Sequence, residues 1–335
     1  MSDAAGATPP WIVPATAALT RAQRAGRLPH ALLIHEAPGA GGDWLALWAA
    51  RLALCARPAE APCGACAGCR RAAALAHPDL AHITPLEDSR QIRIEQVRDL
   101  AAELALTSHA GGYKVAILTP ADALNRFGAN ALLKTLEEPP PRTLLVLVAT
   151  QPSRLPPTVL SRCQRLTVPA PSRAEAVAWL AATHGPGEWQ AALEVVGEAP
   201  FLLAGADPDA LAQLGAEVRR TLDELAAGRA DPLATAERWA RSELALRLRC
   251  IENWLTERIR RCQHAAPEIA ELRAGAYLSS MDAFLNIREL FGLLDEVRDL
   301  RAALDAPLNR GLALEAVLRR IAPSGAGAAA TRGHG

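Results

Sequence analysis

The chain has 335 residues, half of them apolar, and its 36 basic and 36 acidic residues leave a formal net charge of zero. That length allows two or three domains with real cores, the charge balance argues against a strong nucleic-acid field of the chain's own, and no uninterrupted apolar run reaches the roughly 18 residues of a membrane span. The seven cysteines are an odd number, and Met1 to Pro10 lacks a basic stretch followed by an apolar one. The chain therefore reads as cytoplasmic, with no disulfide framework.

Taken in order, Ala31–Ile34 reads as a buried strand. Glu36-Ala37-Pro38-Gly39-Ala40-Gly41-Gly42-Asp43 follows it, and then an apolar helix over Trp44–Cys55. Strand, glycine turn and helix is the layout of a phosphate cradle. The working pattern G-x-x-x-x-G-K-[ST] is not met, because Glu36 stands at the first glycine, Gly42 at the lysine and Asp43 at the Ser/Thr position. A carboxylate stands where phosphate charge would be bound, and the magnesium-ligating hydroxyl is gone. The chain's only lysines, Lys114 and Lys134, lie elsewhere.

Further strands are expected at Leu80–Ile83, Val115–Leu118, Thr143–Ala149 and Gln164–Val168, with helices at Ile94–Leu106, Asn125–Glu137 and, short, Pro157–Ser161. The first of these helices sets Val97, Leu100, Ala101 and Leu104 on one face; the second stops at Pro139-Pro140-Pro141. Apolar strands between helices indicate an α/β domain with a mostly parallel sheet covered on both sides. A nucleotide hydrolase of this kind needs acids after its third strand. Here that strand runs into Thr119-Pro120, and Asp122, two residues on, reads as the cap of the next helix.

After Val168 only helices are expected. Ser172–His184, Glu188–Val196 and Phe201–Leu203 would form a small domain over 169–206. Pro208–Ala227, Asp231–Arg261, Met281–Asp305 and Leu308–Ile321 would form a larger one over 207–322. The Gly/Ala-rich tail, Pro323 to Gly335, reads as disordered.

Cys55, Cys63, Cys66 and Cys69 place four thiols within fifteen residues, with Pro62, Gly64, Ala65, Ala67 and Gly68 between them to let the backbone curl around one ion. Four thiolates suit tetrahedral Zn²⁺ with no open position, hence a structural role. An iron–sulfur cluster uses similar spacing, and a redox pair is a weaker alternative. Cys163, Cys250 and Cys262 read as ordinary core or surface residues.

The segment Ala129-Asn130-Ala131-Leu132-Leu133-Lys134-Thr135-Leu136-Glu137-Glu138-Pro139-Pro140 resembles a characteristic stretch of bacterial clamp-loader ATPase subunits, and Leu155-Pro156-Pro157-Thr158-Val159-Leu160-Ser161-Arg162-Cys163 resembles their S-R-C motif. With the degenerate loop and the cysteine insert, the chain is similar to the delta-prime branch of the DNA polymerase III clamp-loader family. The resemblance implies a RecA-like AAA+ parallel-sheet domain over 1–168 carrying the insert at 55–69, then a helical lid and an all-α collar. It also implies a hetero-pentameric ring with motor subunits and a delta subunit, which opens a sliding clamp onto primed DNA. In that ring Arg162 would reach the ATP of a neighbouring motor subunit as an arginine finger, positioned by Ser161 and Cys163, with no ATP turnover at Gly39, Gly41, Gly42 and Asp43. Thr150 matches the polar residue at the end of the family's sensor strand or is only structural, and Glu137 and Glu138 read as solvated helix-end charges or, alternatively, as contacts to DNA-facing or inter-subunit groups. Two rival functions remain open at this point: a motor ATPase of the same family, and a zinc-dependent nucleic-acid-binding module.

Overall fold

A computed structural model describes residues 7–86, 89–271, 287–304 and 308–322. These fall into two compact units. The first holds the described residues up to Gly185 together with Glu198–Gly205; the second holds Pro186–Gly197 and the described residues from Ala206 onward. The segment 169–206 is thereby shared between the units. The expected tail over 323–335 and the start of the helix expected at Met281 lie outside the described residues.

In the first unit the elements run α1 (Val13–Arg24), β1 (Ala31–Glu36), α2 (Gly42–Ala53), α3 (Ala67–Ala73), β2 (Leu80–Ile83), α4 (Ile94–Ala105), β3 (Lys114–Leu118), α5 (Arg126–Glu137), β4 (Thr143–Ala149), α6 (Pro157–Leu160), β5 (Gln164–Val168) and α7 (Arg173–His184). The strands form one parallel five-stranded sheet in the order β2-β3-β4-β1-β5. All seven residues of central β4 are buried, as a sheet covered on both faces requires. Edge strand β5 instead exposes Gln164, Arg165 and Thr167, polar residues that discourage further pairing. On α4, Val97, Leu100 and Leu104 are buried. They pack in one apolar cluster with Ala116 and Leu118 of β3, Leu145 and Leu147 of β4, and Leu132 and Leu136 of α5. Lys114 is buried and its Nζ donates to the carbonyls of Glu103 and Leu106, closing the C-terminal end of α4.

In the second unit the helices are α8 (Trp189–Val196), α9 (Pro208–Ala226), α10 (Pro232–Trp239), α11 (Leu244–Glu271), α12 (Ile287–Ala302) and α13 (Arg310–Ile321). Asp207 and Asp231 cap α9 and α10, each followed by proline at the first helical position. The single helix expected over Asp231–Arg261 is two: the chain turns at 240–243, where Glu243 takes φ 53°, and restarts as α11. A partly buried polar knot marks the bend, where Glu217 of α9 accepts from Trp239 Nε1 at 3.2 Å and pairs with Arg247 at 2.7 Å.

Candidate functional site: a filled phosphate cradle and a remote arginine

The loop after β1 has the geometry of an anion cradle. Gly39 and Gly41 take left-handed φ of 70° and 107°, which only glycine adopts without strain. Gly41 is the N-cap of α2, so its amide and that of Gly42 point out of the helix start, where an anion is favoured. The anion present is the chain's own. Glu36 Oε2 accepts from Gly42 N at 2.6 Å and from Gly41 N at 3.1 Å. Burial raises the Glu36 carboxyl above its ordinary value, the Gly42 amide draws it back, and the nearby Asp43 carboxylate raises it further. Asp43 is exposed and accepts from Thr119 Oγ1 at 2.6 Å, which ties the start of α2 to the end of β3.

Asp122 does not cap the following helix. Asn125 does, accepting from Gly128 N at 2.8 Å, because a short 3₁₀ turn over Ala121–Ala123 separates Asp122 from α5. The Asp122 carboxylate instead accepts from Thr150 Oγ1 at 3.1 Å and Gln151 N at 3.0 Å, joining the ends of β3 and β4. Thr150 is thus engaged with Asp122 at the same sheet edge as the cradle.

Arg162 lies at the other edge. It sits two residues before β5, whose first residue, Gln164, is level with Leu32, while Glu36 is level with Val168. Those four further residues of parallel strand set the start of β5, which Arg162 precedes, about 13 Å from Glu36 along the strands. Its guanidinium is about one-third exposed and pairs with Glu137 of α5 at 2.8 Å, and it donates to the Thr158 carbonyl at 3.0 Å and to Ser161 Oγ at 3.4 Å. Glu137 is therefore an ion-pair partner and not only a solvated charge; Glu138 is exposed. Ser161 Oγ donates to the Thr158 carbonyl at 3.1 Å, and Cys163 is buried in the core under the turn, its thiol pushed up to about 11 by desolvation.

The four cysteines of the insert converge. All their Sγ atoms lie within 4.8 Å of one another, and Cys55 and Cys66 stand 3.9 Å apart. Thiolates about 2.3 Å from one tetrahedral ion are separated by about 3.8 Å, so the set fits a single metal. Backbone amides point at the sulfurs: Cys69 N to Cys66 Sγ at 3.3 Å, Cys66 N to Cys63 Sγ at 3.4 Å, and Arg57 N to Cys55 Sγ at 3.4 Å. Such donors favour thiolate. Where the small residues between the cysteines suggest only turns, the insert also contains α3, with Cys66 as its N-cap. Cys250 is buried in the second unit and Cys262 is half-buried.

The family model described as "DNA polymerase III, delta subunit" matches residues 14–172. The DNA polymerase III subunit delta' of Escherichia coli is 30% identical over 323 residues, which cover 93% of this chain and 94% of that protein. The chain belongs to the DNA polymerase III delta-prime family. The subunit delta' of Pseudomonas aeruginosa is 45% identical over 190 residues, but the match spans only 56% of this chain and about half, 55%, of that relative. A solved Thermotoga maritima DNA polymerase III gamma subunit-related protein superposes at a TM-score of 0.45 with 17% identity, covering 90% of this chain and 98% of that one.

The cradle loop, the S-R-C turn and the cysteine set are legible in the sequence; the walls around the cradle are not. Trp11 Nε1 donates to the Ala40 carbonyl at 2.7 Å, and Phe201 N donates to the Gly39 carbonyl at 3.1 Å. A Cβ at Gly41 would stand 2.3 Å from the Phe201 ring and 2.9 Å from Ile12. Trp11 meets Trp179 edge to face with ring centroids 5.5 Å apart, and Trp179 packs at a tilt on Phe201 at 4.9 Å. These contacts join residues up to 168 positions apart, and no local pattern encodes them.

Proposed function

We propose that the chain is a non-hydrolysing subunit of a DNA polymerase III clamp loader and that it lends Arg162 to the ATP of a neighbouring motor subunit. The observation that carries this is the position of Arg162, partly exposed at the end of the sheet opposite its own cradle. An arginine there is remote from its own cradle and open to a phosphate on another chain. A planar guanidinium supplied from outside stabilises charge on a transferring phosphoryl group, and the Glu137 pair and the Ser161 turn hold it ready. The chain's own cradle supports the same reading, since a motor needs a lysine and a hydroxyl that Gly42 and Asp43 do not supply. Membership of the delta-prime family supports a place in a hetero-pentameric ring with motor subunits and a delta subunit, acting on a sliding clamp and primed DNA in the cytoplasm. The segment 169–206 is proposed as the lid and 207–322 as the collar. Cys55, Cys63, Cys66 and Cys69 are proposed to hold one structural Zn²⁺. Bound there, zinc supplies a closed four-thiolate cross-link and no open position for chemistry.

The test is a reconstituted ring carrying Arg162→Ala. The ring is expected to assemble, with its DNA-stimulated ATPase and clamp loading reduced, and Arg162→Lys is expected to rescue only in part. Trans arginines are worth roughly 10³–10⁵ in rate at the site they serve. With one ring site of several affected, the bulk ATPase falls less. Wild-type activity with Arg162→Ala refutes the role.

A further inference from the structure

We propose that Glu36 is a built-in stand-in for phosphate: its carboxylate occupies a cradle that is still an anion receptor, and Trp11, Ile12 and Phe201 close over the loop that holds it. This goes beyond the loss of catalytic residues and does not depend on Arg162. Three observations carry it. The donors are those a phosphate would use, two successive amides at the start of α2, and one carboxylate oxygen takes both. Glu36 is only 9% exposed, and among the described residues its carboxylate has no ion-pair partner; its charged neighbours Asp43 and Asp122 repel it. A buried unpaired charge is costly unless strong donors meet it, and here the cradle amides are those donors. The loop backbone is shaped around the occupant as well. A Cβ at Gly42 would lie 2.7 Å from Glu36 Cδ, and Ala40, Gly41 and Gly42 are buried. The chain thus keeps the ligand-bound form of the loop without a ligand, as an autoinhibitory contact that excludes nucleotide phosphates.

The test uses the full chain labelled with ¹⁵N-glycine and, as probe, inorganic pyrophosphate without magnesium at constant ionic strength. Glu36→Gln is expected to move the Gly42 amide resonance strongly, because the charged acceptor is lost; an unmoved Gly42 signal overturns the proposal. In the wild type and in Phe201→Ala, millimolar pyrophosphate is expected to leave the Gly41 and Gly42 signals in place. In Glu36→Ala/Phe201→Ala it is expected to shift both saturably. A silent double variant shows that the cradle is no anion receptor, and binding by Phe201→Ala alone shows that Glu36 does not block it; either result overturns the proposal. Should the double variant not fold, Glu36→Gly is compared with the wild type by melting temperature. Its melting temperature alone is expected to rise with the logarithm of pyrophosphate concentration, and an equal response in both refutes the idea.

Discussion

A methyl group at Gly42 is the smallest perturbation that tests whether the cradle is full. In Gly42→Ala the new Cβ would stand 2.7 Å from Cδ and 2.9 Å from Oε2 of Glu36, and 2.8 Å from Cγ1 of Val148. Ordinary carbon contacts lie at about 3.5–4.0 Å. Val148 is 2% exposed on central β4 and cannot retreat, so Glu36 must swing off the amides. Gly42 opens α2, and alanine is by itself better than glycine in a helix by up to about 1 kcal/mol. Against this stand overpacking at about 1–3 kcal/mol and weakened bonds to a charged acceptor at about 1.5–3 kcal/mol. The clash wins, for a net loss of about 2–4 kcal/mol. At about 2–4 °C per kcal/mol for a domain of this size, the melting temperature falls by roughly 4–16 °C. Scanning calorimetry is the assay, with the transition of the first unit followed separately, since a chain of two units need not unfold in one step. Glu36→Gly removes part of the clash, so Gly42→Ala and Glu36→Gly should be non-additive by about 1 kcal/mol or more. A Gly42→Ala protein as stable as the wild type, or strict additivity in the cycle, refutes the filled cradle.

Two further outcomes concern stability and metal. Asp79 is 1% exposed and accepts from His109 N at 2.7 Å, Ala110 N at 3.0 Å and Ser108 Oγ at 3.0 Å. Burial pushes its carboxyl up, but these donors more than offset that and hold it below the usual range. The ionised form is therefore preferred in the folded chain, and its contribution is present above about pH 3.9 and lost as pH falls through the lower folded value. Asp79→Asn should cost about 1.5–3 kcal/mol at neutral pH and flatten the acid limb of a urea-stability profile; parallel limbs for variant and wild type would contradict this. Cys66→Ser should drop the metal content from one ion per chain to near none and lower the melting temperature, measured by elemental analysis and calorimetry on the same sample. Iron in the wild-type protein would replace the zinc assignment with a cluster.

The residues alone determined whatever depends on near neighbours. Apolar runs of four to six residues mark the buried strands β1, β3 and β4, Asn125 and Pro139 bracket α5, and the cysteine spacing brings four sulfurs together because small residues lie between them. Gly42 and Asp43 are legible at the lysine and hydroxyl positions of the phosphate-loop pattern for the same reason, since that loop is continuous, and Thr119-Pro120 is legible at the end of β3. Local pattern also misled. Asp122 is placed to cap α5 and is drawn instead to Thr150 and Gln151. The run from Asp231 looks like one helix because 240–243 contains neither glycine nor proline, yet it breaks where Glu217 gathers Trp239 and Arg247. Helix α1 has a weak sequence signature because its buried face is only Ala15, Thr16 and Leu19. Tertiary structure alone decided that Glu36 turns back onto the Gly41 and Gly42 amides, that Phe201 and Trp11 wall the loop, and that Arg162 pairs with Glu137 at the sheet edge away from the cradle. Each of these is set by strand order and register, which bring distant segments to one edge or separate them, and neither is written in any short stretch of the chain.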